Sequence, residues 1–481
     1  MTDLLVKGGK VVFPGKRVTE SDIVIRDGKV SAIGKNLPEA DFENIIDASG
    51  KHVFPGLVDS HFHIGIYRPL ADDARSESAS AAAGGVTTLL SYFRSGRNYL
   101  NSSEPYSTLF QKVLDYSRGN FHVDYGYNLA PVLKEHVNEI PKLVEEFGVS
   151  TYKFYMFYKG LNLKSEVKKG SVEKEYLLSD DPYDLGHLYN IMTQIASLKG
   201  KFSPVRLSIH AEDSEIIRIN LEKTKAGSDQ KKDNVLELYS NARPPSSERL
   251  AILEAVELAT QTGCPINVLH VSSEQAIKTL EELQSIYPDT DFMVEVTASH
   301  LSISYENNIG VNGKVNPPIR SRKDVDALWD AVRKGVAKTV ASDHAAIEKS
   351  KKGDELWTAE NGYGATEVVL PAVLTEGYHK RKVPLETLAA LVTLNPAKYH
   401  GLSGRKGDIA VGMDGDLAIV DLKEERVVDH RKMHSAQDFS PFDGLTLKGW
   451  PVATVLRGNV VFSDGKVEES YPGQYVKRPV Q

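Results

Sequence analysis

Two histidines one residue apart, His61 and His63, close the stretch Phe54-Pro-Gly-Leu-Val-Asp-Ser-His-Phe-His63. On an extended strand, residues i and i+2 point to the same side. Both imidazoles can therefore address one point, as a metal ion requires, and imidazole is a common ligand for zinc and its neighbours. Other polar residues stand at the ends of further short apolar runs: Lys153 in Ser150-Thr-Tyr-Lys-Phe-Tyr, His210 in Ser208-Ile-His-Ala-Glu-Asp, His270 in Val268-Leu-His-Val-Ser-Ser, and Asp343 in Ala341-Ser-Asp-His. A lone strand-end histidine is more often packed than metal-bound, and a lone lysine usually snorkels. Six such groups at matching ends form a pattern that neither habit explains.

The elements that must position them are eight β-branched or apolar runs: Leu57–His63, Thr87–Phe93, Val123–Ala130, Thr151–Phe157, Arg206–Ala211, Ile266–Val271, Phe292–Thr297 and Thr339–Asp343. Segments of helical length separate them, such as Ser247-Glu-Arg-Leu-Ala-Ile-Leu-Glu-Ala-Val-Glu-Leu-Ala, where a Ser cap precedes an apolar 3.6-residue rhythm. Strand–helix alternation implies a parallel sheet, and eight units predict an α/β chain folded as a (β/α)8 TIM-like barrel. A doubly wound open sheet is the alternative, although no glycine-rich phosphate fingerprint follows the first run. In a barrel the six residues converge on the rim where strands end and active sites form.

Both chain ends read as β structure. Residues 1–54 alternate short strands with turns, including Asp27-Gly28, a hairpin signal. Residues 405–481 repeat the texture in Asp416-Leu-Ala-Ile-Val-Asp, Val452-Ala-Thr-Val-Leu-Arg-Gly-Asn-Val-Val-Phe and Asp464-Gly-Lys-Val. A few strands alone rarely hide their apolar face, so one small β-sandwich domain built from 1–54 plus 405–481 with a C-terminal tail is expected. The barrel then spans 55–404.

Composition narrows the function. The 481 residues carry a net charge of −7 with 41% hydrophobic and 26% charged residues, a globular composition without the basic footprint of a nucleic-acid binder. Runs such as Lys349–Lys352 read as solvated loop faces. The single cysteine, Cys264, excludes an internal disulfide, suits a reducing compartment and reads as a packed thiol beside a buried strand. With no signal-peptide pattern and no apolar run near the ~20 residues that span a bilayer, a cytoplasmic protein with no membrane partner is expected.

These motifs together resemble the amidohydrolase superfamily and, within it, the cyclic amidases: hydantoinases, dihydropyrimidinases, allantoinases and dihydroorotases. The resemblance covers nearly the whole chain. It includes Pro55-Gly-Leu-Val-Asp-Ser-His-Phe-His, Gly84-Gly-Val-Thr-Thr, Ile209-His-Ala-Glu, Leu269-His-Val-Ser, Ser342-Asp-His, Asn395-Pro-Ala-Lys, Asp414-Gly-Asp-Leu-Ala-Ile-Val-Asp and Ser440-Pro-Phe-Asp-Gly. It implies two divalent ions per subunit, zinc or else manganese. His61, His63 and Asp343 would hold one, His210 and His270 the other, and Lys153 would bridge them as an N-carboxylated lysine. Asp343 would serve as general base and then acid, and Tyr158 would donate to the oxyanion, with Tyr155 as its competitor. Thr297 and Asn361 would bind the ring. The implied reaction opens a hydantoin or dihydropyrimidine-type ring to an N-carbamoyl amino acid. Allantoinase or another cyclic-imide or lactam amidase is the alternative, and a non-catalytic dihydropyrimidinase-related scaffold a more distant one.

The departures bear on substrate. Dihydroorotases resemble this chain but carry a carboxylate-binding arginine where it has Gly65, which disfavours dihydroorotate. Arg68, Arg94 and Arg97 follow the first two runs and are candidates for an anionic group. Glu295-Val-Thr-Ala and Asp343-His-Ala-Ala replace Glu-Thr-Cys-Pro and the frequent Asp-His-Ala-Pro, leaving the shape of that pocket wall open. The Lys159–Asp181 segment is long enough to form a lid. The ending Tyr471-Pro-Gly-Gln-Tyr-Val-Lys-Arg-Pro resembles a hydantoinase tail that reaches a neighbouring subunit, implying a homodimer or homotetramer.

Overall fold

The computed structural model describes residues 3–96, 99–102, 104–159, 182–228, 234–468 and 473–478. All eight expected runs form parallel strands in one sheet: Leu57–His63, Val86–Arg94, Asp124–Ala130, Thr151–Tyr155, Arg206–His210, Ile266–Val268, Phe292–Thr297 and Ala337–Ala341. The last run breaks at Ser342–Asp343 and resumes as His344–Ala345, which pairs with Phe62 and His63 of the first strand. That resumed pair closes the sheet into a barrel, the architecture that strand–helix alternation predicts. One continuous apolar core holds strands and surrounding helices together.

The ends of the chain form a second sheet of nine mixed strands. Its halves meet where Leu417–Val427 runs antiparallel to His52–Pro55. Side chains from both halves, among them Val6, Ile25, Val53, Leu417 and Val455, form a separate small core, so the expected terminal β domain is a single hydrogen-bonded sheet wrapped on its own interior. At the passage into the barrel Gly56 is packed so closely on Thr87 that any Cβ would collide with it.

Local signals fared unevenly. Asp27-Gly28 and Asp464-Gly465 both turn with positive φ at each residue, as two-residue hairpins demand. The stretch beginning at Val452 is not one run, because Arg457-Gly458 makes a third such turn. Arginine gives no turn signal, but its backbone N–H donates to Asp416 and its guanidinium pairs with Asp124, which fix it there. The helix expected from Ser247 starts at Pro245, since proline suits the first helical position. Lys352 is fully buried rather than solvated, and its Nζ donates to the carbonyls of Lys314 and Gly362. Cys264 is buried and its thiol is pushed up to about 12 by desolvation.

The described part of the tail lies on this chain's own barrel. Tyr475 bridges Tyr125 in parallel, and the buried Arg478 donates to Asn128 Oδ1 at 2.6 Å and to the Tyr127 carbonyl. Among the described residues no helix is long and apolar enough to cross a membrane.

Candidate metal centre and active site

The site begins where the eighth strand breaks. Asp343 has φ +52°, a conformation costly for a residue with a Cβ, and its neighbours hold it there. The Ser342 N–H donates to Asp59 Oδ1 at 3.1 Å and its hydroxyl to the His61 carbonyl at 3.2 Å. The Asp343 carboxylate consequently sits 3.1 Å from His61 Nε2 and 3.3 Å from His63 Nε2. One ligand atom from each of these three residues lies within 4.8 Å of the others, close enough to hold an ion.

Lys153 rises from the fourth strand between aromatic faces, its Nζ 4.3 Å from the Tyr92 ring centroid, 4.8 Å from that of Tyr155 and 2.9 Å from His61 Nε2. On the far side His270 Nε2 and His210 Nδ1 face each other at 2.9 Å. Burial holds all four histidines below their ordinary value, and the Lys153 charge adds to it at each one. They are therefore neutral at pH 7, the form that binds metal. The donor set fits divalent cations: lone pairs from neutral imidazoles converge with a carboxylate, and the buried Nδ1 atoms of His63 and His270 have no hydrogen-bond partner. Burial also lowers Lys153 to about 8.

The remaining expected residues are placed as follows. Tyr155 and Tyr158 are neighbours, ring centroids 5.4 Å apart; Tyr155 is the one over Lys153, and Tyr158 packs on Phe157, which meets His210 edge-on. Thr297 ends the seventh strand; its carbonyl accepts from the Leu301 N–H at 3.1 Å and its hydroxyl contacts His300 Nδ1 at 2.8 Å. The Asn361 amide contacts the Tyr239 hydroxyl at 2.9 Å, and its carbonyl accepts from the Tyr67 hydroxyl at 2.7 Å. Arg68 is held by Ser76, Asp73 and Glu77. Arg94 donates to the Ser95 carbonyl and lies over the Tyr99 ring. Arg97 and the expected lid, from residue 160 on, lie outside the described residues. Gly65 has φ +75° beside Leu70, a position that strains any arginine placed there.

Sequence reasoning passed over the groups that hold the ligands. Glu295 contacts His61 Nδ1 at 2.7 Å, and Glu212 contacts His210 Nε2 at 2.7 Å while a two-pronged Arg243 binds it. Such partners fix the tautomer and aim of a ligating imidazole. Burial pushes Glu295 up to about 8; at Glu212 burial is the largest single influence and acts the same way, but the Arg243 charge and the hydrogen bonds with His210 and Arg243 together outweigh it and hold the carboxyl at about 2. The signal for Glu212 was its spacing two residues past His210, and for Glu295 its shared strand parity with Thr297. Tyr92, the aromatic floor under Lys153, gave none.

The comparisons agree with this geometry. The family model described as "Amidohydrolase family" matches residues 192–461. An L-hydantoinase of Paenarthrobacter aurescens is 32% identical over 99% of this chain and 98% of its own. An allantoinase of Rubrobacter xylanophilus is 30% identical over 99% of this chain and 97% of its own. A crystal structure of a D-hydantoinase superposes with a TM-score of 0.85 at 27% identity, covering 99% of both chains. The chain belongs to the amidohydrolase family. Membership implies a binuclear centre of divalent metals, and this barrel rim offers its ligands.

Proposed function

We propose that this protein is a metal-dependent hydrolase that opens cyclic amides of hydantoin or dihydropyrimidine type to N-carbamoyl amino acids. The observation that carries the reading is the convergence of His61, His63, Lys153, His210, His270 and Asp343 on one end of a barrel whose full-length relatives are named hydantoinases. His61, His63 and Asp343 would hold one ion, His210 and His270 the other. Lys153, lowered to about 8 by burial, has some free amine at neutral pH and would take up carbon dioxide, releasing a proton, so that an anion suited to holding divalent ions would replace a cation. Bound there, two divalent ions, zinc or manganese, supply activated water and polarise the ring carbonyl.

Asp343 takes the proton of the attacking water and delivers it to the leaving ring nitrogen. The Tyr158 hydroxyl donates to the oxygen that gains negative charge. Thr297 and Asn361 hold the ring. Asp343 is suited to its shuttle because the Ser342 preceding its strained backbone is pinned to Asp59 and His61, so the carboxylate need not search for its geometry. Burial of the centre strengthens each of these electrostatic contacts. The reading includes domain limits at 54/55 and 404/405, a homodimer or homotetramer, and a cytoplasmic location suited to a lone cysteine. Allantoin, itself a substituted hydantoin, is the second substrate to consider, given the allantoinase relative.

The test is metal content per subunit together with hydrolysis of hydantoin, dihydrouracil, allantoin and dihydroorotate by wild type and Lys153→Ala. Two metals with ring opening that disappears in the variant supports the mechanism, and the preferred ring names the substrate. No metal and no turnover after supply of metal and bicarbonate would sink catalysis and leave a scaffold. Two metals without opening of any of these rings would keep the centre and discard the substrate class.

A further inference from the structure

Most of the ligand residues stand inside barrel strands, where the hydrogen-bonded ladder sets their aim: His61 and His63 in Leu57–His63, Lys153 in Thr151–Tyr155 and His210 in Arg206–His210. His270 and Asp343 do not. His270 lies beyond the end of Ile266–Val268, a strand of only 3 residues, and Asp343 lies in the break that follows Ala337–Ala341. Both have positive φ, +37° and +52°, a conformation that costs any residue with a Cβ and persists only where the surroundings impose it. The ring of His270 also lacks a carboxylate to aim it. Glu295 contacts Nδ1 of His61 and Glu212 contacts Nε2 of His210, but the buried Nδ1 of His270 has no partner. Its aim therefore depends on the backbone that carries it.

That backbone is clamped by a buried acid from another element. The Val271 N–H donates to the Glu295 carbonyl at 2.8 Å, and the next N–H, that of Ser272, donates to Glu248 Oε1 at 2.8 Å. The Ser272 hydroxyl lies 3.1 Å from both Glu248 oxygens, and the Ser273 hydroxyl donates to Oε2 at 2.6 Å. Glu248 reaches the loop from the helix Pro245–Thr262, and it is buried together with both serines. Arg320 backs the clamp: its Nε donates to Ser272 Oγ at 3.1 Å and a terminal nitrogen to the Arg243 carbonyl at 2.6 Å. The arrangement repeats the one at Asp343, where the Ser342 N–H donates to the buried Asp59. Each ligand that stands off the ladder thus has a nearby serine whose backbone N–H is held by a buried carboxyl group.

We infer that Glu248 is a positioning residue for His270: by fixing Ser272 and Ser273 it sets the aim of that imidazole, and with it the affinity for the ion that His270 shares with His210. This rests on the reading that His210 and His270 hold the second ion. It extends that reading to an acid that makes no hydrogen bond to either ligand, and it makes the two metal positions separable.

The test titrates zinc against a competing chelator in the full-length protein, as wild type and as E248Q, which keeps the side-chain volume but replaces one acceptor with an NH2 donor. Wild type should hold two ions per subunit. In E248Q the dissociation constant of one ion should rise about 10–100-fold while the other is unchanged. In an H270A background E248Q should change nothing further, because the ion it acts on is already lost. S273A, which removes one donor and keeps the Ser272 N–H bond, should weaken the same ion by about three- to tenfold and carries the test if E248Q does not fold. Unchanged affinity in both variants, release of both ions together, a further loss in the H270A background, or failure of both variants to fold overturns the positioning role. If wild type binds fewer than two ions, the binuclear reading fails and this role falls with it. Two ions with selective loss in E248Q but no ring opened would discard the substrate class and uphold the role of Glu248.

Discussion

Two clusters of ligand-type side chains sit at opposite ends of the barrel, and only one of them needs a metal. Asp124, Asp414 and Asp416 bring their oxygens within 4.8 Å of one another, as do the ligand atoms of His61, His63 and Asp343. At the lower end, however, the cation is built in. Lys406 Nζ lies 2.7 Å from Asp124, 3.0 Å from Asp414 and 2.6 Å from Asp416, with Arg457 on Asp124 and Arg405 on Asp414. Because Asp124 starts a barrel strand and the other two lead into the terminal sheet, this cluster bolts the barrel to that sheet. At the upper end the lysine lies beside neutral imidazoles, and a single carboxylate, Asp343, joins the nitrogen atoms of His61 and His63. Proximity of acidic groups does not define a metal site; an unmet demand for positive charge does.

Exchanging the lysines should break the comparison most sharply. Lys153→Ala is expected to lower ring opening by at least about 10³-fold and to empty the centre, measured by turnover and metal analysis, while the unfolding midpoint moves little. Removing metal with a chelator should do the same to wild type, reversibly. Lys406→Met should do the opposite. Stripping the cation from three buried carboxylates costs about 3–5 kcal/mol, seen as a lower denaturant midpoint, with full metal content in the protein that remains folded.

A smaller effect is expected one step back from the ligands. Glu212→Gln weakens the hold on His210 and should cost about 10–100-fold in metal affinity, read by titration against a competing chelator; unchanged affinity would remove Glu212 from the centre. The smallest effect distinguishes the bolt by pH. Burial alone would raise Asp414, but the Lys406 charge, with the hydrogen bonds from Lys29 and Lys406 and the Arg405 charge, together outweigh it and hold the carboxyl at about 2, below its ordinary 3.8. A depressed carboxyl stabilises the fold above its unfolded value and loses that contribution as pH falls through the folded one. Stability should therefore drop between about pH 4 and pH 2, and Asp414→Asn should flatten that limb in denaturant titrations.

The sequence was most readable where chemistry coincides with strand ends. His61, His63, His210, His270 and Asp343 stand out because each lies at or next to the end of a short apolar run, and Lys153 because it lies inside one; the eight runs themselves required only apolar patterning. Glu295 and Glu212 were visible as letters but not as partners, since a carboxylate's role depends on which imidazole it reaches across the barrel. The turn at Arg457-Gly458 gave no local signal because it is stabilised by Asp124 and Asp416, distant in the chain. Lys352 was taken for a surface residue because lysine seldom finds two backbone carbonyls waiting inside.

The sequence by itself determined the alternation of strands and helices, the side of each strand on which a ligand falls and the charge inventory, because all three depend on local spacing and residue type. Only the tertiary structure decided which acids are already neutralised, which tyrosine floors the lysine and which carboxylate steadies each ligating imidazole. Those are facts about distances between residues as much as 333 positions apart, and burial gives such contacts their strength by withdrawing the competing water.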